Sequence, residues 1–204
     1  AMNAFTKEYL EHALFVGGEK ELLPATVYND IDLSWNDPSA LHRARAYESN
    51  DGWHWDGTHN LTGRLWGGCM ESVDEMLRHQ SPIPSLEQFE EIVLILETSE
   101  EVPTHDYVFR VMRALGELGI LERVKAVLVG RPKAWRFDRN LSGQEKAAYR
   151  EAQRATILNT VRAYNTTIPI IQNMDFGHTE PQIPLPYGQM IRIDGEAKRI
   201  WAHF

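Results

Sequence analysis

The feature that most constrains this fold is an alternation of three short apolar runs with two helical segments in the C-terminal two-thirds of the chain. The runs IVLILET (92–98), VKAVLVG (124–130) and IPIIQNM (168–174) are typical of strands covered on both faces. Segment 104–119 places its apolar residues on one helical face, and segment 142–165 opens with a serine and a glutamate at capping-box spacing. Crossovers between such strands are right-handed, so the strands lie parallel. The alternation therefore predicts an α/β fold with three parallel strands joined by helices.

The remaining segments carry weaker signals. Residues 189–204 alternate around an Asp-Gly pair, which predicts a C-terminal hairpin. Residues 63–68 (GRLWGG) are expected to form a strand that ends in a tight glycine turn, with a helix following over 69–80. Residues 6–15 resemble a short amphipathic helix, and residues 24–60 show no sustained period, so we expect loops with short strands there.

Polar residues stand where each of the three predicted strands ends. Parallel strands share one C-terminal edge, and open α/β sheets carry their functional groups beyond that edge. Three loops leave this edge with Glu97, with Arg131, and with Asp175 and His178. The last loop contains a glycine and three prolines, so its backbone is stiff and cannot join a sheet interior. The topology therefore brings Glu97 and His178 to one edge, although they are far apart in the sequence.

A glutamate beside a histidine suggests a base oriented by an acid. The acid accepts from one ring nitrogen, and the other nitrogen faces a nucleophile or substrate. The alternative is a loop histidine bonded to a carbonyl and an ordinary carboxylate at a strand end. No G-x-S-x-G motif is present, and Ser99 lies too near Glu97 in the loop to be favoured as nucleophile. Cys69 is a rival, since a thiol at a helix N-terminus has a lowered pKa; otherwise it is a small residue packed behind the glycine turn.

Composition excludes several classes of function. The formal net charge of −8 argues against nucleic acid or an anionic membrane as the main partner. We find no run that could span a bilayer and no signal-peptide pattern, and a single cysteine fits a reducing compartment, so we expect a cytoplasmic protein. His54, Asp56 and His59 cluster, but their spacing matches no zinc pattern. We therefore expect neither a metal nor another cofactor.

Four motifs in order resemble the C-terminal domain of the LD-carboxypeptidase family of serine peptidases: GRLWGG, ILETSEEVP, RALGELGILERVKAVLVGRPK and DFGHTEPQIPLPYG. The microcin C self-immunity proteins are the most similar branch. The resemblance implies that residues 1–204 form a single domain with a layered β/β/α swivelling-type fold. It also implies a Ser-Glu-His triad in which Glu97 and His178 take the glutamate and histidine positions. The serine would lie on an N-terminal domain absent from this chain. Cys69 stands where the family usually has asparagine.

The resemblance further implies a hydrolase when the protein is intact, and an inactive chain without the serine domain. The expected substrates are microcin C-type aminoacyl nucleotides or the L,D-bond of murein peptides. The expected partners are that small substrate and the chain's own N-terminal domain. A second copy of the chain, in a homodimer, is a further candidate partner. In the immunity branch a tryptophan stacks on the nucleotide base, and Trp35 and Trp53 are the candidates; packing beneath the sheet is the alternative for both. The alternative function is a non-catalytic module that binds a peptide or a nucleotide.

Overall fold

Strands from both halves of the chain meet in one large sheet. The computed structural model describes residues 2–34, 36–139 and 141–204. In chain order the elements are α1 (Ala4–Glu11), a π-helical turn (His12–Val16), β1 (Glu19–Leu22), β2 (Val27–Tyr28), a 3-10 turn (Ala40–His42), β3 (Glu48–Ser49), β4 (His54–Asp56), β5 (Leu61–Cys69), α2 (Met70–Arg78), α3 (Leu86–Phe89), β6 (Ile92–Glu97), α4 (His105–Glu117), β7 (Ala126–Gly130), α5 (Gly143–Tyr164), β8 (Ile170–Met174), β9 (Met190–Asp194) and β10 (Arg199–His203).

Four parallel strands form the centre of an eight-stranded sheet of order β1-β10-β9-β5-β6-β7-β8-β4. The predicted parallel arrangement of β6, β7 and β8 is confirmed, and β5 extends it by pairing parallel to β6. The predicted C-terminal hairpin is β9 and β10, which continue the sheet beyond β5 with β1. At the other edge, β4 pairs antiparallel with β8, while β2 and β3 form a separate ribbon. The α/β fold class is thus confirmed.

The central strands are buried on both faces, because each face packs against its own hydrophobic core. Leu94 and Leu96 of β6 point into a core shared with α2, α4 and α5. Their neighbours Val93 and Ile95 point into a second core, which includes Tyr9 of α1. Alternate residues of a strand face opposite sides of a sheet. This alternation explains why the run 92–96 is apolar throughout.

The two crossover helices begin at side-chain caps. Thr104 accepts a hydrogen bond from the Tyr107 backbone N–H at the start of α4. Ser142 and Glu145 form the predicted capping box at the start of α5. Such caps satisfy backbone donors that have no partner in the first helical turn. The caps therefore fix where the chain leaves the loops of the C-terminal sheet edge.

The predicted glycine turn after GRLWGG is wrong, because β5 runs through both glycines to Cys69. Gly67 and Gly68 have φ values of 131° and 141°, which residues with a side chain rarely adopt. A Cβ on Gly67 would lie 2.0 Å from the backbone oxygen of Ile95 in β6. Gly67 thus allows a close approach of two strands, and neither glycine reverses the chain.

The segments that follow the parallel strands meet at one edge of the sheet. Cys69 at the end of β5 lies opposite Glu97 at the end of β6. Gly130 at the end of β7 lies opposite Met174 at the end of β8. Among the described residues, none of the helices has the length and apolar character needed to cross a membrane.

Candidate active site

Glu97 and His178 meet at this C-terminal edge. Glu97 ends β6 and is only 7% exposed, and His178 lies in the loop that follows β8. The Nδ1 atom of His178 lies 2.7 Å from the Oε2 atom of Glu97, which is a short hydrogen bond. A carboxylate only accepts, so Nδ1 donates in this contact. The predicted proximity of the two side chains is therefore present in the structure.

Two glycines make the space that Glu97 occupies. Gly177 has a φ of 95°, and a Cβ on it would lie 2.6 Å from the Oε2 atom of Glu97. A Cβ on Gly130 would lie 2.8 Å from the Cβ of Glu97 and 2.4 Å from the backbone oxygen of Phe176. Real Cβ contacts of this length do not occur, so larger residues would displace the carboxylate. The glycine before His178 is thus part of the site itself.

A second carboxylate faces the other ring nitrogen of His178. The Nε2 atom lies 3.0 Å from the Oε2 atom of Glu100, whose side chain is 61% exposed. The hydrogen bond to Glu97 raises the pKa of His178, partial burial opposes this shift, and the charges of Glu97 and Glu100 add to it. Both ring nitrogens thus face carboxylate acceptors, an arrangement that favours the protonated ring. No sequence pattern singles out Glu100, because an exposed loop glutamate has no distinctive spacing.

The two nucleophile candidates of the chain are both bonded to one glutamate. Glu71, in the first turn of α2, accepts hydrogen bonds from the Ser99 hydroxyl at 2.7 Å and from the Cys69 thiol at 3.3 Å. Burial raises the pKa of Cys69, and the charges of Glu71 and Glu97 add to this despite a hydrogen bond from the Ser72 backbone. The expectation of a lowered thiol pKa is wrong, since nearby carboxylates and burial outweigh the helix terminus.

A buried ion pair lies beside the histidine loop. The Nη2 atom of Arg131 lies 2.6 Å from the Oδ1 atom of Asp175, and the two side chains are 1% and 0% exposed. The other carboxylate oxygen of Asp175 accepts from the Ala25 backbone N–H at 3.0 Å and from the indole N–H of Trp53 at 2.9 Å. The sequence places Arg131 and Asp175 at this edge, but only the structure shows that they pair.

The two aromatic candidates for substrate binding are Trp53 and Trp35. Trp53 is half-buried against the second hydrophobic core, with its indole N–H bonded to Asp175. These contacts match the alternative of a packed scaffold residue, and a stacking role for Trp53 stays a prediction. Trp35 lies outside the described residues. A cavity of about 270 Å³ borders His178 and is lined by Asn29, Asp32 and Arg45 among others.

Two of the three residues in the cluster near residue 54, His54 and Asp56, are each engaged in a pair. His54 lies 3.4 Å from Asp51, and Asp56 accepts a hydrogen bond from Arg162 at 2.8 Å. Within the described residues, no group of three or more His, Cys, Asp or Glu side chains is placed to hold a metal ion.

Comparison with known proteins places this architecture in a family. The family model for the LD-carboxypeptidase C-terminal domain matches residues 62–193, more than half of the chain. The chain belongs to the LD-carboxypeptidase family. A relative of this LD-carboxypeptidase chain, the microcin C7 self-immunity protein MccF of Escherichia coli, is 22% identical over 173 residues, which are 85% of this chain and 45% of the relative. The chain spans about half the length of the curated relatives it matches.

Solved structures share the fold of this LD-carboxypeptidase domain. An MccF-like protein from Streptococcus pneumoniae in complex with AMP has a TM-score of 0.82 at 24% identity, over 100% of this chain and 59% of that one. Microcin C7 self-immunity protein MccF in complex with aspartyl sulfamoyl adenosine has a TM-score of 0.75 at 19% identity, over 98% of this chain and 55% of that one. These likenesses establish the fold.

Proposed function

We propose that this chain supplies the glutamate and histidine of a Ser-Glu-His triad in a peptidase or amidase of the LD-carboxypeptidase family. The observation that carries the proposal is the 2.7 Å contact between His178 Nδ1 and Glu97 Oε2. This contact leaves Nε2 as the nitrogen that can exchange a proton with a nucleophile. Ser99 and Cys69 are both bonded to Glu71, which supports a serine from a separate N-terminal domain.

In the proposed reaction, Glu97 holds His178 in the tautomer with its proton on Nδ1. Nε2 then accepts the proton of the serine hydroxyl as the oxygen attacks a substrate carbonyl. The resulting imidazolium is stabilised by the Glu97 carboxylate, and it returns the proton from Nε2 to the leaving amine. Water then repeats the sequence on the acyl-enzyme. Because Glu97 is largely buried, its interaction with the imidazolium is little weakened by solvent.

Glu100 must leave Nε2 before this reaction can begin. A ring that donates to carboxylates on both nitrogens has no lone pair to accept a proton. Glu100 is 61% exposed, so it can move into solvent at little cost. We propose that the Nε2 proton of His178 passes to solvent as Glu100 withdraws, and that the serine hydroxyl takes the place of the Glu100 carboxylate when the two domains meet.

For the substrate, we propose an aminoacyl nucleotide, with the murein L,D-peptide as the alternative. Related structures that share the fold hold AMP and aspartyl sulfamoyl adenosine, which supports the nucleotide class. The cavity beside His178 has Arg45 on its wall, and a guanidinium can bind phosphate or sulfamoyl oxygens once it exchanges its present partner, Glu180, for the substrate. Substrates of both classes have an amide carbonyl for the serine to attack.

The test compares variants of the protein joined to its serine domain, with hydrolysis of aspartyl sulfamoyl adenosine and of murein tetrapeptide as readouts. His178→Asn should lower kcat by at least about 10³-fold, because the general base is lost. His79→Asn is the matched control: its Nε2 also lies 2.9 Å from a glutamate, Glu75, but on the surface of α2. That variant should retain full activity.

The chain without the serine domain should hydrolyse neither substrate, because the nucleophile and oxyanion donors are missing. Hydrolysis by this chain that disappears in Cys69→Ser would replace the proposal with a Cys-His-Glu site. If His178→Asn retains full activity in the joined protein, the triad is refuted and a non-catalytic binding module is preferred for this domain.

A further inference from the structure

Arg131 of the buried Arg131–Asp175 pair contacts two residues of the segment that carries His178. Arg131 donates from Nη2 to Asp175 at 2.6 Å and from Nη1 to the Thr179 hydroxyl at 3.3 Å. His178 lies between these two acceptors in the sequence, three residues after Asp175 and directly before Thr179. One guanidinium thus holds both ends of segment 175–179.

Arg131 is itself fixed on the sheet. It follows Gly130 at the end of β7, and its backbone N–H donates to the Met174 oxygen at 2.8 Å. Its Nε donates to the Asn173 side chain at 3.1 Å, and the guanidinium lies 4.7 Å from the Tyr28 ring centroid. The anchor of the histidine segment therefore belongs to the rigid centre of the molecule. Glu97 is rigid for the same reason, because it ends the neighbouring strand.

Stability alone is a weak reason for such a pair. Burying two opposite charges costs more desolvation than a surface pair, and apolar residues of similar volume often stabilise a fold equally well. A planar guanidinium that bonds several acceptors also fixes their relative positions, which an apolar side chain does not do. The contacts of Arg131 and Asp175 fix segment 175–179, and the position of this segment sets the distance between Glu97 and His178.

We propose that Arg131 and Asp175 are positioning residues, which set the Glu97–His178 geometry by holding both ends of segment 175–179. They touch neither substrate nor nucleophile in this role. The inference rests on the proposed function only for its effect on catalysis, since the geometry itself can be measured in the chain alone.

The first test follows the ring nitrogens of His178 by NMR in ¹⁵N-histidine-labelled chain, with the His178→Asn spectrum used for assignment. Asp175→Asn keeps the shape and removes the charge. We expect the His178 pKa to fall in this variant, because the hydrogen bond from Nδ1 to Glu97 is lengthened or lost. Leu121→Ala is the control, a fully buried core residue before β7 at the opposite end of the sheet. It should lower thermal stability and leave the His178 titration unchanged.

The second test measures kinetics in the protein joined to its serine domain. Asp175→Asn should lower kcat by about 10–100-fold with KM nearly unchanged, as expected when a catalytic group is displaced by about 1 Å. Arg131→Lys keeps the charge but lacks the planar fork, so it should fold and show the same shift in both readouts.

Three results would overturn the inference. The first is an unchanged His178 titration in folded Asp175→Asn and Arg131→Lys. The second is a loss of activity in both variants that is no larger than the loss in Leu121→Ala, so that lowered stability alone accounts for it. The third is failure of both variants to fold, which would assign the pair a purely structural role. Full activity of His178→Asn would refute the proposed function, while the NMR result would still decide the positioning role.

Discussion

Glu97→Gln tests the central contact of the site with the smallest change of shape. Glu97 is 7% exposed and lies against Gly130 and Gly177, so only a side chain of the same size fits its position. Glutamine has this size but no charge. It can turn its amide oxygen or its NH₂ group toward His178. With the NH₂ group on Nδ1, the ring carries its proton on Nε2 and cannot accept one from serine.

The expected loss follows from the two roles proposed for the carboxylate. It fixes the tautomer, and it stabilises the imidazolium through a 2.7 Å contact. Neutralising the acid of a serine-type triad costs about 10⁴-fold in kcat, or about 5.5 kcal/mol in the activation free energy. KM should change little, because the largely buried carboxylate offers almost no surface to a substrate.

The assay is steady-state hydrolysis of aspartyl sulfamoyl adenosine by the protein joined to the proposed N-terminal serine domain. Glu100→Gln is the matched control, because Glu100 faces the other nitrogen of the same ring at 3.0 Å. Its loss should leave kcat unchanged or raise it, since Glu100 competes with the serine for Nε2. A kcat for Glu97→Gln within tenfold of the wild type would refute the reasoning, as would an equal loss in Glu100→Gln.

Three further predictions concern stability and substrate choice. The folded-state pKa of His178 lies above its ordinary value of 6.5, so the stabilisation it gives is complete below the unfolded-state pKa and is lost as pH rises through the folded-state pKa. Urea unfolding of the wild type and of His178→Asn should therefore show a difference in unfolding free energy that becomes smaller as pH rises. A difference that does not depend on pH would contradict this prediction. Gly177→Ala should lower the unfolding free energy by about 1–3 kcal/mol more than Gly188→Ala, because an added Cβ at Gly177 would clash with Glu97. Gly188 is the control, since it also has a positive φ, of 78°, but nothing lies within 4 Å of an added Cβ. Equal unfolding curves for the two variants would argue against a crowded site. Trp53→Phe should lower the unfolding free energy by about 1–3 kcal/mol, since a buried carboxylate oxygen of Asp175 loses a donor. Its activity on nucleotide and murein substrates should fall equally. A rise in KM for the nucleotide alone would support the stacking role.

Local sequence patterns determine the framework that carries the site. The capping box of Ser142 and Glu145 marks the start of α5, and the apolar run 92–96 lies in a strand that is buried on both faces. These signals are local because a cap or a strand face depends on residues a few positions apart. The strand at Gly67 and Gly68 is not predicted by the sequence, because paired glycines are typical of turns. Their actual role depends on the approach of β6, which no local pattern contains.

The sequence by itself determined that Glu97 and His178 lie at one edge of the sheet. The helical crossovers between consecutive strands make them parallel, and parallel strands end on the same side. Only the tertiary structure decided which polar groups touch. It placed Glu100 on the second ring nitrogen of His178 and joined Arg131 to Asp175. Such pairs join segments that are distant in the chain, and side-chain packing sets their distances to a few tenths of an ångström, so no spacing in the sequence encodes them.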